Sequence, residues 1–438
     1  MNYLKNIFYW SKLNYDEQQK ILSRPILNRN HTMKDTVKKI IENVKNFGDN
    51  ALRKYSILFD KFNVNEFRIP EEKIISSFLN INENLKSSIL IAKKNITSFH
   101  EAQILSTIDI ETQIGVRCQQ VYLPLNSVGI YIPNGTTSLF SSVLMLAIPA
   151  KIAGCKEIIL CSPPPINNNI LYASYVCGIK KIFQVGGAQA IAALAFGTET
   201  IPKVDKIFGP GNTYVTEAKL QVSSVFNGAE IDMLAGPSEL LVIADETANP
   251  DFIAADLLSQ AEHGSSSQVI LLTSSVQLSK NVISSLNEQV KKLPRLSEIS
   301  KSLKNSMIII TDNMSQCIEI SNMYAPEHLI IQTKQPRKIL NNISNASSIF
   351  LGQWSPESVG DYASGTNHVL PTYGKSLTNS ALGLADFQKR ILIQELTSQG
   401  LIDLSNTIEI LSSEEQLDAH KNAVKIRVDF LKRKKYDQ

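Results

Sequence analysis

The sequence predicts an α/β fold with parallel sheets, flanked by helical stretches at both ends. Three observations carry that reading. From Ser127 onward, short apolar runs each end in glycine, proline or asparagine and lead into a helical stretch, the alternation that builds βαβ units. Residues 1–120 are mostly helical and polar in pattern, and after Pro371 the strand signal fades. Glycine-rich turns follow several strand runs, and open parallel sheets place their ligands there, outside the carboxyl ends of the strands.

In chain order, Met1–Lys20 mixes aromatic and charged residues without a continuous apolar core, so it is no secretory signal. Thr36–Lys45 and Asn84–Ser98 have helix-like spacing of apolar positions. Strands are expected at Val128–Ile132, Glu157–Cys161, Lys181–Val185, Asp205–Phe208, Leu240–Ala244, Gln268–Thr273, Met307–Thr311 and His328–Gln332. The most apolar run, Val143–Ala150, is cut by Pro149 and followed by Lys151, far short of the roughly 20 residues of a membrane helix. One helix is marked at both ends: Asn249 as cap, Pro250 at the first position, Asp251 against the positive end and Gly264 as the stop. About the last fifty residues read as helices, the final one starting at Ser413 with Gln416 as its capping-box partner.

The totals exclude several classes. A chain of 438 residues suits a few structural units with large cores. The net charge of +3, with both signs mixed along the chain, makes no electrostatic case for nucleic acid. The basic cluster Lys432-Arg433-Lys434-Lys435 reads as a solvated tail. Five cysteines without a C-x-x-C pair argue against disulfides and sulfur-based zinc sites, and for a reducing cytosol. A soluble cytoplasmic protein with no membrane partner is expected.

Several residues could carry chemistry. Gln260 and His263 are three apart near a helix end, where an imidazole and an amide oxygen can form half of a zinc site or simply a polar tip. Val185-Gly186-Gly187-Ala188-Gln189 and Phe208-Gly209-Pro210-Gly211-Asn212 fit either a nucleotide or an unliganded strand-to-helix turn. Neither is G-x-G-x-x-G. Pro326-Glu327-His328 pairs a carboxylate with an imidazole for acid–base work, or is a surface pair at a strand start. Neighbours on a strand point to opposite faces, so both reach one substrate only where the backbone is irregular. The polar loop from Ser355 to His368 offers Asp361 as an oxygen ligand and His368 as a second imidazole. Glu415 and His420, five apart in a last helix, are not on one face, and His31 and His100 receive no role.

Ser259-Gln260-Ala261-Glu262-His263-Gly264, Gly209-Pro210-Gly211-Asn212, Ala235-Gly236-Pro237-Ser238-Glu239, Pro326-Glu327-His328-Leu329, the segment Gly360–His368 and Ala419-His420-Lys421-Asn422-Ala423 occur in an order that resembles the histidinol dehydrogenase family over nearly the whole chain. The resemblance implies two Rossmann-like parallel-sheet domains with helical N- and C-terminal extensions. Residues 1–26 would form the first extension, 27–130 and 240–382 a zinc and substrate domain, 131–239 an inserted NAD-binding domain, and 383–438 a helical tail. It implies Zn2+ held by Gln260, His263, Asp361 and His420, and NAD contacted by Tyr131, Gln189 and Asn212. Those zinc ligands, with Ser238, His328 and Glu415, would also contact the substrate, L-histidinol. A homodimer would share the active site, with His420 donated across the interface. Asn134 and Leu234 depart from the family's usual glycine and proline, and neither is a named site residue.

The implied reaction is a four-electron oxidation of L-histidinol to L-histidine through bound L-histidinal, the last steps of histidine biosynthesis. Glu327 and His328 would be the catalytic pair, His328 as the base for each oxidation and Glu327 as the activator of water. A thiohemiacetal on Cys118 or Cys155 is the rival second step. A zinc hydrolase without hydride transfer and a non-catalytic binding protein are the rival classes.

Overall fold

The computed structural model describes residues 3–25, 31–134, 138–233 and 236–436. Gly135 and Leu234 lie outside them, as do the side chains of Lys434 and Lys435. In chain order the strands are β1 (Ile7–Tyr9), β2 (Ile108–Gln113), β3 (Val116–Pro124), β4 (Ser127–Tyr131), β5 (Glu157–Ser162), β6 (Lys181–Gln184) and β7 (Lys206–Phe208). They continue as β8 (Glu230–Ile231), β9 (Glu239–Ala244), β10 (Gln268–Thr273), β11 (Met307–Ile310), β12 (His328–Gln332), β13 (Ser348–Leu351) and β14 (Gln388–Leu396).

The chain divides into two compact units, Met1–Gln103 with Leu125–Phe387, and Ile104–Pro124 with Gln388–Gln438. The first holds two parallel sheets, a six-stranded one of order β1-β11-β10-β9-β12-β13 and a five-stranded one of order β6-β5-β4-β7-β8. The second holds the antiparallel sheet β14-β3-β2 and the helices Ser398–Glu414 and Asp418–Tyr436.

Side chains alternate across a strand, so a strand covered on both faces must be apolar throughout. In β9, Leu240, Val242 and Ala244 pack into one core and Leu241 and Ile243 into another. The helix Pro250–Ala261 covers the first of these faces with Ile253, Leu257 and Leu258. The five-stranded sheet repeats the pattern, with Ile130 and Leu160 on one side and Tyr131 and Ile159 on the other. Among the described residues no helix is long and apolar enough to cross a membrane.

All eight expected strands occur, each end within one residue of its expected place. The exceptions are local. Within the stretch read as mostly helical, Ile7–Tyr9 joins the edge of the six-stranded sheet and Ile108–Pro124 forms β2 and β3. Among the last fifty residues, β14 precedes the two helices. The final helix starts at Asp418, not Ser413: the Ser413 hydroxyl donates to Glu409 O at 2.6 Å, inside the preceding helix, and Gln416 turns the chain with φ 58°. The helix capped by Asn249, whose side chain accepts from Asp251 N at 2.9 Å, ends at Ala261, short of Gly264.

A buried ion pair fixes the turn after β7. Lys219, on the helix Thr213–Ser223, bonds the Asp232 carboxylate and donates to Gly209 O at 3.0 Å, while Gly209 N donates to Asp232 Oδ2 at 2.8 Å. Gly209 has φ +119° and a Cβ there would collide with Tyr131 O, so only glycine fits. Removing one member strands a buried charge. Lys219→Met is expected to lose ~3–5 kcal/mol of unfolding free energy in urea titrations. Lys219→Met/Asp232→Leu should recover most of it; an equal loss in the double variant would refute the account.

Candidate active site

In the first unit, a cavity of about 210 Å³ opens between the carboxyl ends of the five-stranded sheet and the amino ends of β9 and β12. Gly209 and Pro210 follow β7, Asp232 follows β8, Ser238 precedes β9, and Glu327 and His328 stand at the start of β12. The cavity thus lies at the carboxyl ends of one sheet, where the glycine-rich turns are, and at the amino ends of the other. The helix Pro250–Ala261 leaves the carboxyl end of β9 and runs back, which delivers Gln260 and His263 to the amino end.

Glu327 and His328 both line this cavity and both are buried. The backbone irregularity they need is present: Ala325 has φ 52° and ψ 68°, Pro326 follows, and the strand begins only at His328. Both are tied to one residue, Glu239. Its N–H donates to Glu327 Oε2 at 2.8 Å, and its carbonyl accepts from His328 Nδ1 at 3.2 Å. Nδ1 also lies 3.0 Å from the Gln260 amide nitrogen, and Nε2 lies 3.9 Å from Asp361 Oδ1. Burial pushes the His328 pKa down to about 4, against the opposing pull of Asp361, so the imidazole is neutral at pH 7. Burial, reinforced by Glu239 and Asp361, holds the Glu327 pKa well above the carboxylate range.

A second cluster sits beside the pair. Gln260 is fully buried, and hydrogen bonding orients its amide nitrogen toward Glu239 O at 3.2 Å and Glu357 Oε1 at 2.9 Å. Its oxygen then faces His263, accepting from Nδ1 at 3.0 Å. His263 Nε2 lies 3.9 Å from Asp361 Oδ2. Asp361 and Glu357 share the short helix Glu357–Tyr362, four residues apart and so on one face. His263, Glu357 and Asp361 bring ligand atoms within 4.8 Å of one another. Glu357 is the residue the sequence reading missed, although its spacing from Asp361 was a usable signal. His368, read as a second imidazole, lines the cavity; its Nδ1 donates to Asp361 O at 2.7 Å and its Nε2 meets Ser142 Oγ at 3.0 Å.

The electrostatics fit a cation. Glu239, Asp256, Glu327, Glu357 and Asp361 crowd one region, and among the described residues Arg24 is the only lysine or arginine that ion-pairs with any of them, through Glu239. Glu357 Oε2 is buried without a hydrogen-bond partner, an uncompensated acceptor in a low-dielectric pocket. Nitrogen and oxygen donors without sulfur suit zinc at a site that handles substrate.

Tyr131 and Gln189 come together at the carboxyl ends of the five-stranded sheet. Both are buried, the Tyr131 hydroxyl accepts from Gly187 N at 3.0 Å, and Gln189 lies in the first turn of the helix Gly187–Phe196. Asn212 caps the helix Thr213–Ser223, its side-chain oxygen accepting from Tyr214 N at 3.0 Å and Val215 N at 3.1 Å. Glu415 and His420 belong to the second unit. Glu415 caps the end of the helix Ser398–Glu414 and His420 lies in the first turn of the next, so they do not share one helix as the sequence suggested. No cysteine is among the residues lining the cavity, and burial pushes the Cys155 thiol up to about 11.

The profile of the histidinol dehydrogenase family matches residues 23–428. A histidinol dehydrogenase of Buchnera aphidicola subsp. Acyrthosiphon pisum is 73% identical over 434 residues, covering 99% of this chain and 100% of its own length. That of Escherichia coli K12 is 56% identical over 426 residues, 97% of this chain and 98% of its own. The crystal structure of histidinol dehydrogenase from Elizabethkingia anophelis, 44% identical, superposes with a TM-score of 0.95 over 99% of both chains.

The acid cluster makes stability depend on pH. Burial raises the Asp256 pKa to about 7, against the lowering effect of its hydrogen bond from Gln332 Nε2 at 2.8 Å. The folded state thus keeps this proton where the unfolded chain, with a pKa of about 3.9, releases it, so stability falls as pH rises from about 4 to about 7. In metal-free protein, Asp256→Asn is expected to raise the melting temperature at pH 8 and to make little difference near pH 4. A gain independent of pH would refute the assignment.

Proposed function

The chain belongs to the histidinol dehydrogenase family, an oxidoreductase family, and we propose that it oxidises L-histidinol to L-histidine with NAD and zinc as cofactors. One observation carries the reading at the site. Glu327 and His328 are buried side by side, anchored to the same backbone residue, and open to a cavity whose other wall is an acidic donor set.

Gln260, His263 and Asp361 are the residues of the first unit that would hold zinc, with His420 of a second copy as the fourth ligand. Their oxygen and nitrogen donors support this. Tyr131, Gln189 and Asn212, on the turns of the five-stranded sheet, would meet NAD, which assigns residues 131–239 to the cofactor. Ser238, His328 and Glu415 would contact the substrate, and the shared site makes the working unit a homodimer. A cytoplasmic setting suits five free cysteines.

Bound NAD supplies the hydride acceptor for both oxidations, and zinc a positive charge that orients the substrate's imidazole and amine. The protein's own work is proton transfer. His328, neutral at pH 7, takes the hydroxyl proton at Nε2 as the alcohol becomes the aldehyde, and releases it to solvent. Glu327, in its ionised form, takes a proton from the water that attacks the aldehyde carbon. His328 then takes a proton from the resulting hydrate as the acid forms. Overall the substrate loses two hydrides and gains one oxygen from water. A thiohemiacetal has no cysteine in the cavity wall to form it.

The test is stoichiometric. Zinc-loaded protein given limiting L-histidinol and excess NAD should yield two NADH per substrate, measured by absorbance, with loss on chelation and recovery on adding zinc. One NADH would end the four-electron reading, and none the dehydrogenase reading. Glu327→Gln is expected to slow the second hydride transfer by about 10²-fold more than the first in single-turnover kinetics. Equal slowing would refute the division of labour. His263→Asn should fold normally yet retain little zinc by elemental analysis; full occupancy would remove it from the ligand set.

A further inference from the structure

We propose that Arg24, far from the substrate cavity in sequence and in contact with no reacting group, is the positioning residue for the Glu327–His328 pair; the inference rests on the function proposed above.

Arg24 grips both chain segments that set the pair. On one side its Nε donates to Glu239 Oε1 at 2.5 Å and its Nη2 to Glu239 Oε2 at 3.0 Å, a two-pronged contact on a buried carboxylate. Glu239 is the residue whose N–H holds Glu327 and whose carbonyl holds His328. On the other side Nη2 also donates to Tyr324 O at 2.5 Å and Ala325 O at 3.2 Å. Ala325 is the left-handed residue that turns the chain into Pro326-Glu327-His328. One planar guanidinium thus fixes the backbone upstream of the pair and the backbone the pair leans on.

The surroundings hold Arg24 in place. Its guanidinium lies 4.0 Å from the Tyr324 ring centroid. Tyr373, itself at φ 61°, donates from its N–H to Glu239 Oε1 at 2.9 Å and from its hydroxyl to Pro25 O at 2.9 Å. Gly374 follows at φ +72°, and a Cβ there would come within 2.9 Å of Arg24 Nη1. A non-glycine residue held at positive φ persists only where its surroundings over-determine it. A lysine has the charge but not the planar fork, so it cannot meet both carboxylate oxygens and both carbonyls at once.

Arg24→Lys separates positioning from folding. The expected result is a kcat lower by about 10²-fold, the cost of slight misplacement of catalytic groups, with zinc content, melting temperature and KM for NAD near the wild-type values. Wild-type kcat in the variant would overturn the proposal. So would losses of zinc and of NAD affinity in step with kcat, which mark general disruption. Where Arg24→Lys does not fold, Glu239→Gln decides: it keeps the backbone bonds and loses the charge, and unchanged kcat would overturn the role. A wild-type protein that makes no NADH from histidinol would remove the proposed function and this role with it, whereas equal activity in wild type and variant would remove this role alone.

Discussion

Five carboxyl groups share a volume from which most water is excluded, and among the described residues a single guanidinium is paired with them. Burying that much like charge is costly unless the groups stay protonated or a cation enters. Each acid answers differently. Glu239 is held by Arg24, burial raises the pKa of Glu327 and Glu357 well above the carboxylate range, and Asp361 stands at the half-open edge beside His263. The pocket is therefore poised for a divalent cation: its arrival would offset the repulsion and let the neighbouring carboxyls ionise.

The two sheets solve a geometric problem for this pocket. Parallel strands bring their loops to one end, which gives the five-stranded sheet its glycine turns at the carboxyl side. The six-stranded sheet meets the cavity with its amino ends, where Ser238 and Glu327 stand just before β9 and β12 and Glu239 and His328 begin them. Strand starts are more rigid than loops, since β9 and β12 are neighbours in register, His328 beside Leu240. Sheet pairing thus fixes His328, and Glu327 directly before it, against β9.

What the sequence made legible follows from the range of each interaction. Strands buried on both faces are continuous apolar runs, so β9, β10 and β12 are plain to read. β2 is exposed along its whole length and β14 at all but its first residue, and β14 pairs with β3 across most of the chain, which no local window carries. In the site, Gln260 and His263 meet through a spacing of three, and Glu357 and Asp361 through a spacing of four, both within reach of pattern reading. Glu357 was passed over because Ser355-Pro356 disguised the start of a helix as loop. Arg24 and Glu239 are 215 residues apart and leave no local trace.

The walls of the cavity share one device with two chemistries. Lys219 and Arg24 are both cations taken out of water to pin a bent backbone, Gly209 in one case and Ala325 in the other. The lysine suffices where one carbonyl and one carboxylate must be joined, because an ammonium is a compact donor without directional demands. The second wall needs both oxygens of a carboxylate and two successive carbonyls held at once, and only a guanidinium offers that many fixed donors. Strain is greater there too, since Ala325 and Tyr373 both take left-handed backbone without being glycine. The more demanding cation accordingly stands behind Glu327 and His328, and the simpler one behind the turn beside β4.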